Sequence, residues 1–253
     1  SWNGAQVALA SGLTAGPTFR RVLENLPAGG VAKGPGAEAF LAYADALRRA
    51  YAERLEKMGD ESKGATHTTH LCAVDRHGNM IAITQTLLSL FGSRLVLPET
   101  GVLVNNGVMW FDPRPGRPNS MAPGKRPLTN MCPVIAKRDG KAWFATGASG
   151  GRKILPAVFQ MCSFLVDHGL DLEAAAHHPR IDVSDPDMVT MDPRLAPEIQ
   201  AALSARFPTR TIEYTAYPGG YACPQVVLQD GDTRMGIGDV MSPWSAGVSE
   251  DEA

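Results

Sequence analysis

From Ala37 to Met58 apolar residues recur at three- and four-residue steps: Phe40, Tyr43, Leu47, Tyr51, Leu55 and Met58, with Arg, Glu and Asp between them. That period puts them on one face of an amphipathic helix, which Gly59-Asp60 ends. Upstream, Pro17-Thr18-Phe19 opens a shorter helix, and the Gly-, Ala- and Pro-rich run 27–36 connects the two. From position 68 the pattern changes to short extended runs separated by turn residues. Runs 71–74 and 80–86 flank Asp75-Arg76-His77-Gly78-Asn79, runs 131–137 and 141–146 flank Asp139-Gly140, and runs 226–228 and 233–237 flank Asp230-Gly231-Asp232. Each pair reads as a hairpin. Runs 95–97 and 101–105 read as further extended pieces. Helices are predicted over 154–168, with Pro156 in the first turn, over 172–176, stopped by Pro179, and over 196–206. The segment 112–125 holds four prolines, so it is irregular, and a loop of that length often forms a lid or a wall of a site. The polar stretch 61–67 is a good place for a chain to be cut. Strands that come in hairpins, with helices in separate blocks, predict an α/β protein of layered α+β type built on antiparallel sheet.

Composition narrows the functional classes. The 253 residues suffice for one large domain or two small ones. A formal net charge of −2 leaves no electrostatic footprint for nucleic acid. The longest apolar stretches fall far short of a membrane span. The chain opens Ser-Trp-Asn-Gly, without an initiator methionine or a signal-peptide pattern. The expectation is a start inside a longer precursor or a trimmed chain, with localisation, cytoplasmic or periplasmic, left open. Cys72, Cys132, Cys162 and Cys223 are widely spaced, form no CxxC and match no zinc spacing. No metal, cofactor or disulfide framework is expected from them.

The candidate chemistry centres on Thr68-Thr69-His70, at the head of an extended run. If the peptide His67–Thr68 is cut, Thr68 becomes a chain terminus whose amino group can serve as base for its own hydroxyl. That amino group has a reference pKa of about 8. Thr86, on the paired run, can orient the nucleophile. Gly150-Gly151 can let a substrate carbonyl approach backbone N–H groups that receive the oxyanion. Thr66 and Thr69 are competing cut sites. Half-buried strand threonines are also common for purely structural reasons.

The sequence resembles a known family along an ordered set of motifs. Thr68-Thr69-His70, Val74-Asp75, Gly78-Asn79 and Thr84-x-Thr86 look like the small-subunit start of the γ-glutamyltranspeptidases. The likeness continues through Phe91-Gly92, Gly101, Asn105-Asn106, Arg126-Pro127-Leu128 with Met131 and Pro133, Thr146-Gly147, Gly150-Gly151 and Pro179-Arg180-Ile181. The helix around Ala46-Leu47-Arg48-Arg49 is similar to the last helix of the family's large subunit, so the match covers roughly residues 37–185. The resemblance implies an αββα sandwich of the N-terminal-nucleophile hydrolase type, with residues 1–67 ending a large-subunit-like segment and 68–253 forming the small-subunit-like catalytic segment. It implies autoproteolysis at His67–Thr68, Thr68 as nucleophile, Thr86 as its hydrogen-bond partner and Gly150 and Gly151 as oxyanion hole. It implies an acyl-enzyme released by water or an acceptor amine, acting on a small-molecule amide without cofactor. It also implies an upstream fragment of the same precursor as partner, and leaves room for a homo-oligomer of heterodimers.

Two departures concern the substrate. The family holds the substrate's α-amino group with an asparagine and an aspartate at positions that here are Leu88 and Trp110. Two serines that hold its carboxylate are replaced by Thr129 and Asn130, next to Arg126. Leu88 and Trp110 offer an ammonium no counter-charge, and a cation–π contact at Trp110 is worth only about 0.5–2 kcal/mol. The expectation is a kept catalytic apparatus with altered acyl-group specificity, the alternative being a true γ-glutamyltranspeptidase or glutathione hydrolase. Gly147-Ala148-Ser149-Gly150-Gly151 also fits a serine-hydrolase elbow, which would need His177 or His178 with Asp167, Asp171 or Glu173. His177-His178 as a metal pair, Arg114, Arg117 and Lys125 as an anion-attracting loop, and an unprocessed non-catalytic homologue complete the alternatives.

Overall fold

The computed structural model describes residues 1–59, 67–216 and 219–250. The segment 61–66, read above as accessible to cutting, lies outside the described residues. In chain order the elements are β1 (Ala5–Leu9), α1 (Gly16–Asn25), α2 (Ala37–Met58), β2 (His67–Val74), β3 (Met80–Leu88), β4 (Val134–Arg138), β5 (Lys141–Ser149), α3 (Ile154–Val166), α4 (Leu172–His177), β6 (Ile181–Asp182), β7 (Val189–Met191), α5 (Pro197–Arg206), β8 (Thr209–Thr211), β9 (Cys223–Asp230) and β10 (Thr233–Ile237). Single 3₁₀ turns occupy Gly107–Trp110 and Gly151–Lys153.

Five strands form an antiparallel sheet in the order β1-β4-β5-β9-β10. Helices cover one face of it. α3 is buried along its whole length, as its near-continuous apolar sequence requires. Trp2 stacks on Phe159 at 5.9 Å, while Phe19 and Tyr43 meet Phe159 edge-on at 5.7 and 5.3 Å. These rings join α1, α2 and α3 into one core. The other face of the sheet carries the β2–β3 hairpin, packed against β5 and β9. A small sheet, β6-β7-β8, sits apart, with β7 and β8 parallel.

The elements follow from local chemistry. α2 ends at Gly59, whose φ of 70° lets its N–H reach back to the carbonyls of Arg54 and Leu55. The β2–β3 turn is closed by Asp75, whose carboxylate accepts from the backbone N–H of His77 and of Asn79, both at 2.8 Å. Four expectations change. β1 pairs with β4 in a stretch for which no element was expected. The pieces 95–97 and 101–105 are joined by a single bridge, Val96 to Leu103, rather than by strands. The expected helix 154–168 stops at Val166. β5 runs on through Gly147 to Ser149, beyond the run 141–146 expected as strand.

Candidate active site

The β2–β3 register sets Thr68 opposite Thr86 and His70 opposite Thr84. Strand alternation turns all four side chains toward the five-stranded sheet. The register is irregular between His67 and Thr68, a local distortion of the kind that re-aims a side chain beside a site. The Thr68 hydroxyl donates to Thr86 Oγ1 at 3.1 Å, and Thr86 Oγ1 donates to the His67 carbonyl at 3.1 Å. Thr86 Oγ1 also accepts from the backbone N–H of Leu88 at 2.9 Å. One hydroxyl thus links the candidate nucleophile to the carbonyl of the peptide immediately before it.

His70 is 3% exposed. Its Nδ1 lies 2.7 Å from Thr84 Oγ1 and its Nε2 lies 3.0 Å from Cys72 Sγ. The imidazole sits directly over Gly147 of β5, where an added Cβ would lie 2.2 Å from the ring. Burial pushes the His70 pKa down to about 4, so the ring is neutral at neutral pH. Burial likewise raises the Cys72 thiol to about 12, leaving no thiolate there.

Three contacts give the direction of β2 over the sheet. His70 covers Gly147, and Cys72 Sγ points to Gln225 O at 3.9 Å. Beyond the strand, Arg234 donates to the carbonyls of Asp75 at 2.9 Å and Arg76 at 2.7 Å. Because Gln225 pairs with Gly147 and Arg234 with Gln229, β2 runs antiparallel to β5. Thr68 therefore lies toward the Ser149 end of β5, the end that leads into Gly150-Gly151. Gly150 has φ 139°, and a Cβ there would fall 2.7 Å from Ala222 Cα, so the bend requires glycine. The 3₁₀ turn from Gly151 leads straight into α3, whose N-terminal end favours negative charge.

The substrate-side candidates are stitched to one another by asparagines. Leu88 closes β3, is buried, and has φ 69°. Asn106 accepts from Ser89 N at 3.0 Å and donates to Ser89 Oγ at 2.8 Å, tying the turn that carries Trp110 to the end of β3. Asn119 donates to Trp110 O at 2.6 Å and accepts from Leu128 N at 3.0 Å, which brings in the Thr129-Asn130 segment. Arg54 of α2 anchors that segment from below. It is 2% exposed and donates to Thr129 O at 2.7 Å and Asn130 Oδ1 at 3.2 Å, as well as to Thr14 O and Thr18 Oγ1. The Thr129 hydroxyl donates to Leu13 O at 3.2 Å.

Arg126 is exposed and has no hydrogen-bond partner among the described residues. The proline-rich loop satisfies much of its own charge. Arg114 pairs with Asp112 at 3.0 Å, and Lys125 donates to the carbonyls of Pro118 and Ser120. Arg54 and Asn119 were not singled out in the sequence. An arginine on an amphipathic helix reads as solvated face, and an asparagine in a proline-rich loop reads as turn chemistry.

The serine-elbow alternative does not assemble. Ser149 is the last residue of β5 and hydrogen-bonds Cys223 across the strand pair. His178 packs against Phe164 at 4.5 Å and Phe40 at 6.0 Å, with Nδ1 2.9 Å from Pro179 O. Among the described residues no histidine is hydrogen-bonded to Ser149, and no three His, Cys, Asp or Glu side chains converge as metal ligands.

Comparison with known proteins decides the family. The gamma-glutamyltranspeptidase family profile matches residues 48–248. The chain belongs to the γ-glutamyltranspeptidase family. The match extends beyond the motifs recognised at 37–185, through β9 and β10. Among curated relatives, the acylase ACY 1 proenzyme of Pseudomonas sp. (strain V22) is 36% identical over 168 residues, covering 65% of this chain and 30% of that protein. The glutathione hydrolase proenzyme of Escherichia coli (strain K12) is 36% identical over 153 residues, covering 56% of this chain and 26% of that protein. The matches thus span less than a third of these relatives' length. Among solved structures, cephalosporin acylase from Bacillus halodurans superposes with a TM-score of 0.81 over 98% of this chain and 52% of that chain, at 19% identity. Gamma-glutamyltranspeptidase from Pseudomonas nitroreducens complexed with L-DON gives 0.60 over 72% and 100%, at 25% identity. The fold is that of these N-terminal-nucleophile hydrolases.

Proposed function

We propose that this chain carries the nucleophile of an autoprocessed amide hydrolase of the γ-glutamyltranspeptidase family, with Thr68 as nucleophile and an acyl group unlike γ-glutamyl. The observation that carries the reading is the relay from the Thr68 hydroxyl through Thr86 to the His67 carbonyl. Thr86 polarises the carbonyl that Thr68 attacks. Attack of Thr68 Oγ on the His67 carbonyl carbon shifts the acyl group from nitrogen to oxygen. Water then cleaves the ester, leaving a His67 carboxylate and a free Thr68 amino group. That amino group, with a reference pKa of about 8, takes the hydroxyl proton in each later turnover. The substrate acyl group is transferred to Thr68 Oγ, the amine leaves with the proton, and water or an acceptor amine releases the acyl group. The N–H groups of Gly150 and Gly151 hold the oxyanion in both half-reactions, and loss of one such donor typically costs 10²–10³ in rate.

Leu88 and Trp110 support the altered specificity. Leucine in the left-handed region is strained by on the order of 1 kcal/mol, whereas asparagine enters it readily. The Leu88 side chain is buried and brings no charge for an ammonium. An acyl group without an α-ammonium fits this better than glutamate, and the relative from Pseudomonas sp. (strain V22) is an acylase by name. Glutaryl p-nitroanilide keeps the γ-glutamyl carboxylate and lacks only the α-amino group, and N-acetyl-γ-glutamyl p-nitroanilide replaces the ammonium with a neutral amide. Preference of at least about tenfold in kcat/KM for the acetylated over the free γ-glutamyl anilide is expected. Preference for the free γ-glutamyl anilide would assign the chain to true transpeptidases or glutathione hydrolases instead.

A further inference from the structure

We propose that His70 is a positioning residue: its imidazole, wedged between Thr84 and Gly147, sets the gap between the hairpin that carries Thr68 and Thr86 and the strand that leads to Gly150-Gly151. The inference rests on the proposed roles of Thr68 and the glycine pair. It adds a residue that touches neither substrate nor reacting atoms.

Three observations meet at this ring. It is almost completely buried, yet it lies between two sheets rather than in the aromatic core. Both ring nitrogens are engaged within its own hairpin, by Thr84 and by Cys72. Its far side occupies the space over Gly147, where an alanine Cβ would come within 2.2–2.6 Å of three ring atoms. Buried polar rings that are held on both nitrogens have a single orientation, and close-packed interiors transmit displacements rather than absorb them. The ring therefore acts as a rigid spacer with a fixed address on each sheet: hydrogen bonds on β2–β3 and van der Waals contact on β5.

The consequence concerns rate. Thr68 is two residues from His70 on the same face of β2, and Gly150 is three residues beyond Gly147. A shift of the spacer changes the distance from the Thr68 hydroxyl to the glycine N–H groups, and reacting groups lose rate steeply when misplaced by about 1 Å. The segment that holds Thr129 and Asn130 is anchored from α2 by Arg54, outside the hairpin, whereas Leu88 lies at the end of β3 itself. Substrate affinity therefore depends on the spacer less than the rate does.

The test uses the whole protein with His70→Asn, Thr84→Val, Thr84→Ser and Gly147→Ala, the last alone and combined with His70→Ala. Self-cleavage rate, kcat and KM are measured per mole of folded protein, with melting temperature recorded. His70→Asn and Thr84→Val should each slow self-cleavage and lower kcat by about tenfold or more, with KM changed less than about twofold. Thr84→Ser, which keeps the hydroxyl, should restore the rate. Gly147→Ala should be severely impaired, and the double variant with His70→Ala should recover stability, a non-additive pairing expected only if the ring and the missing Cβ compete for one space. Wild-type kcat in His70→Asn, or a rise in KM with kcat unchanged, would overturn the proposal. So would additive effects of Gly147→Ala and His70→Ala. Full activity in Thr68→Ala would instead overturn the functional reading beneath it.

Discussion

The two faces of the β2–β3 hairpin invert the usual order of a two-stranded unit. The face toward the five-stranded sheet carries Thr68, His70, Cys72, Thr84 and Thr86. The face away from it carries Leu71, Ile81 and Ile83, which are 42%, 46% and 39% exposed. A hairpin whose only need was a core would bury the leucine and isoleucines and expose the threonines. Here the polar residues are turned inward and linked to each other, to the His67 carbonyl and to Gly147. The inner face is arranged for chemistry, and the outer face has the composition of a surface that another layer covers. The difference accounts for α-helix, sheet and hairpin giving three layers of an αββα sandwich. We propose that a further layer, supplied from outside the described residues, covers the outer face.

Breaking the inner face should have the larger effects. Thr86→Val keeps shape but removes the hydroxyl that accepts from Thr68 and donates to the His67 carbonyl. Self-cleavage followed by gel shift should slow by about 10²–10³, while stability falls by only about 1–2 kcal/mol for the unpartnered Leu88 N–H. Comparable loss of rate and of folding would reduce Thr86 to a structural residue.

A milder perturbation is acid. His70 titrates near 4 in the fold against an ordinary value of 6.5. The unfolded chain therefore takes up a proton between those values that the folded chain refuses, and stability falls as pH drops from about 6.5 to about 4. The full contribution is present above 6.5, and the loss is on the order of 2–3 kcal/mol. Urea denaturation across that range should show this slope, reduced in His70→Asn.

The outer face should respond least, and differently in two settings. Ile81→Thr with Ile83→Thr should change the stability of residues 1–253 alone by less than about 1 kcal/mol, since both side chains already face water. In the whole precursor the same pair should cost several times more if a further layer covers them. Equal small effects in both settings would leave the outer face uncovered.

Much of this was legible in the sequence, for identifiable reasons. The helical period from Phe40 to Met58 and its glycine stop gave α2 its observed limits, Ala37–Met58. The turn chemistry of Asp75, Gly78 and Asn79 marked the hairpin that sets Thr68 opposite Thr86. β1 was missed because Ala5-Gln6-Val7-Ala8-Leu9 is a short edge strand with weak alternation. β6, β7 and β8 have two or three residues each, below the length at which a period exists. Gly147 lies past the run 141–146 read as strand. It belongs to β5 because a ring from another strand needs the space, a tertiary cause with no local signal. The asparagine and arginine anchors behind Trp110 and Thr129 are likewise long-range. Sequence reading recognised the residues of the candidate site but not the scaffold that aligns them.

The most direct test of the central claim is the intact mass and N-terminal sequence of the whole protein after purification. The account predicts two fragments, one of them beginning Thr68-Thr69-His70, and a single uncut chain in Thr68→Ala. A fully active protein with the His67–Thr68 peptide intact, or a new terminus at Thr66 or Thr69, would contradict it.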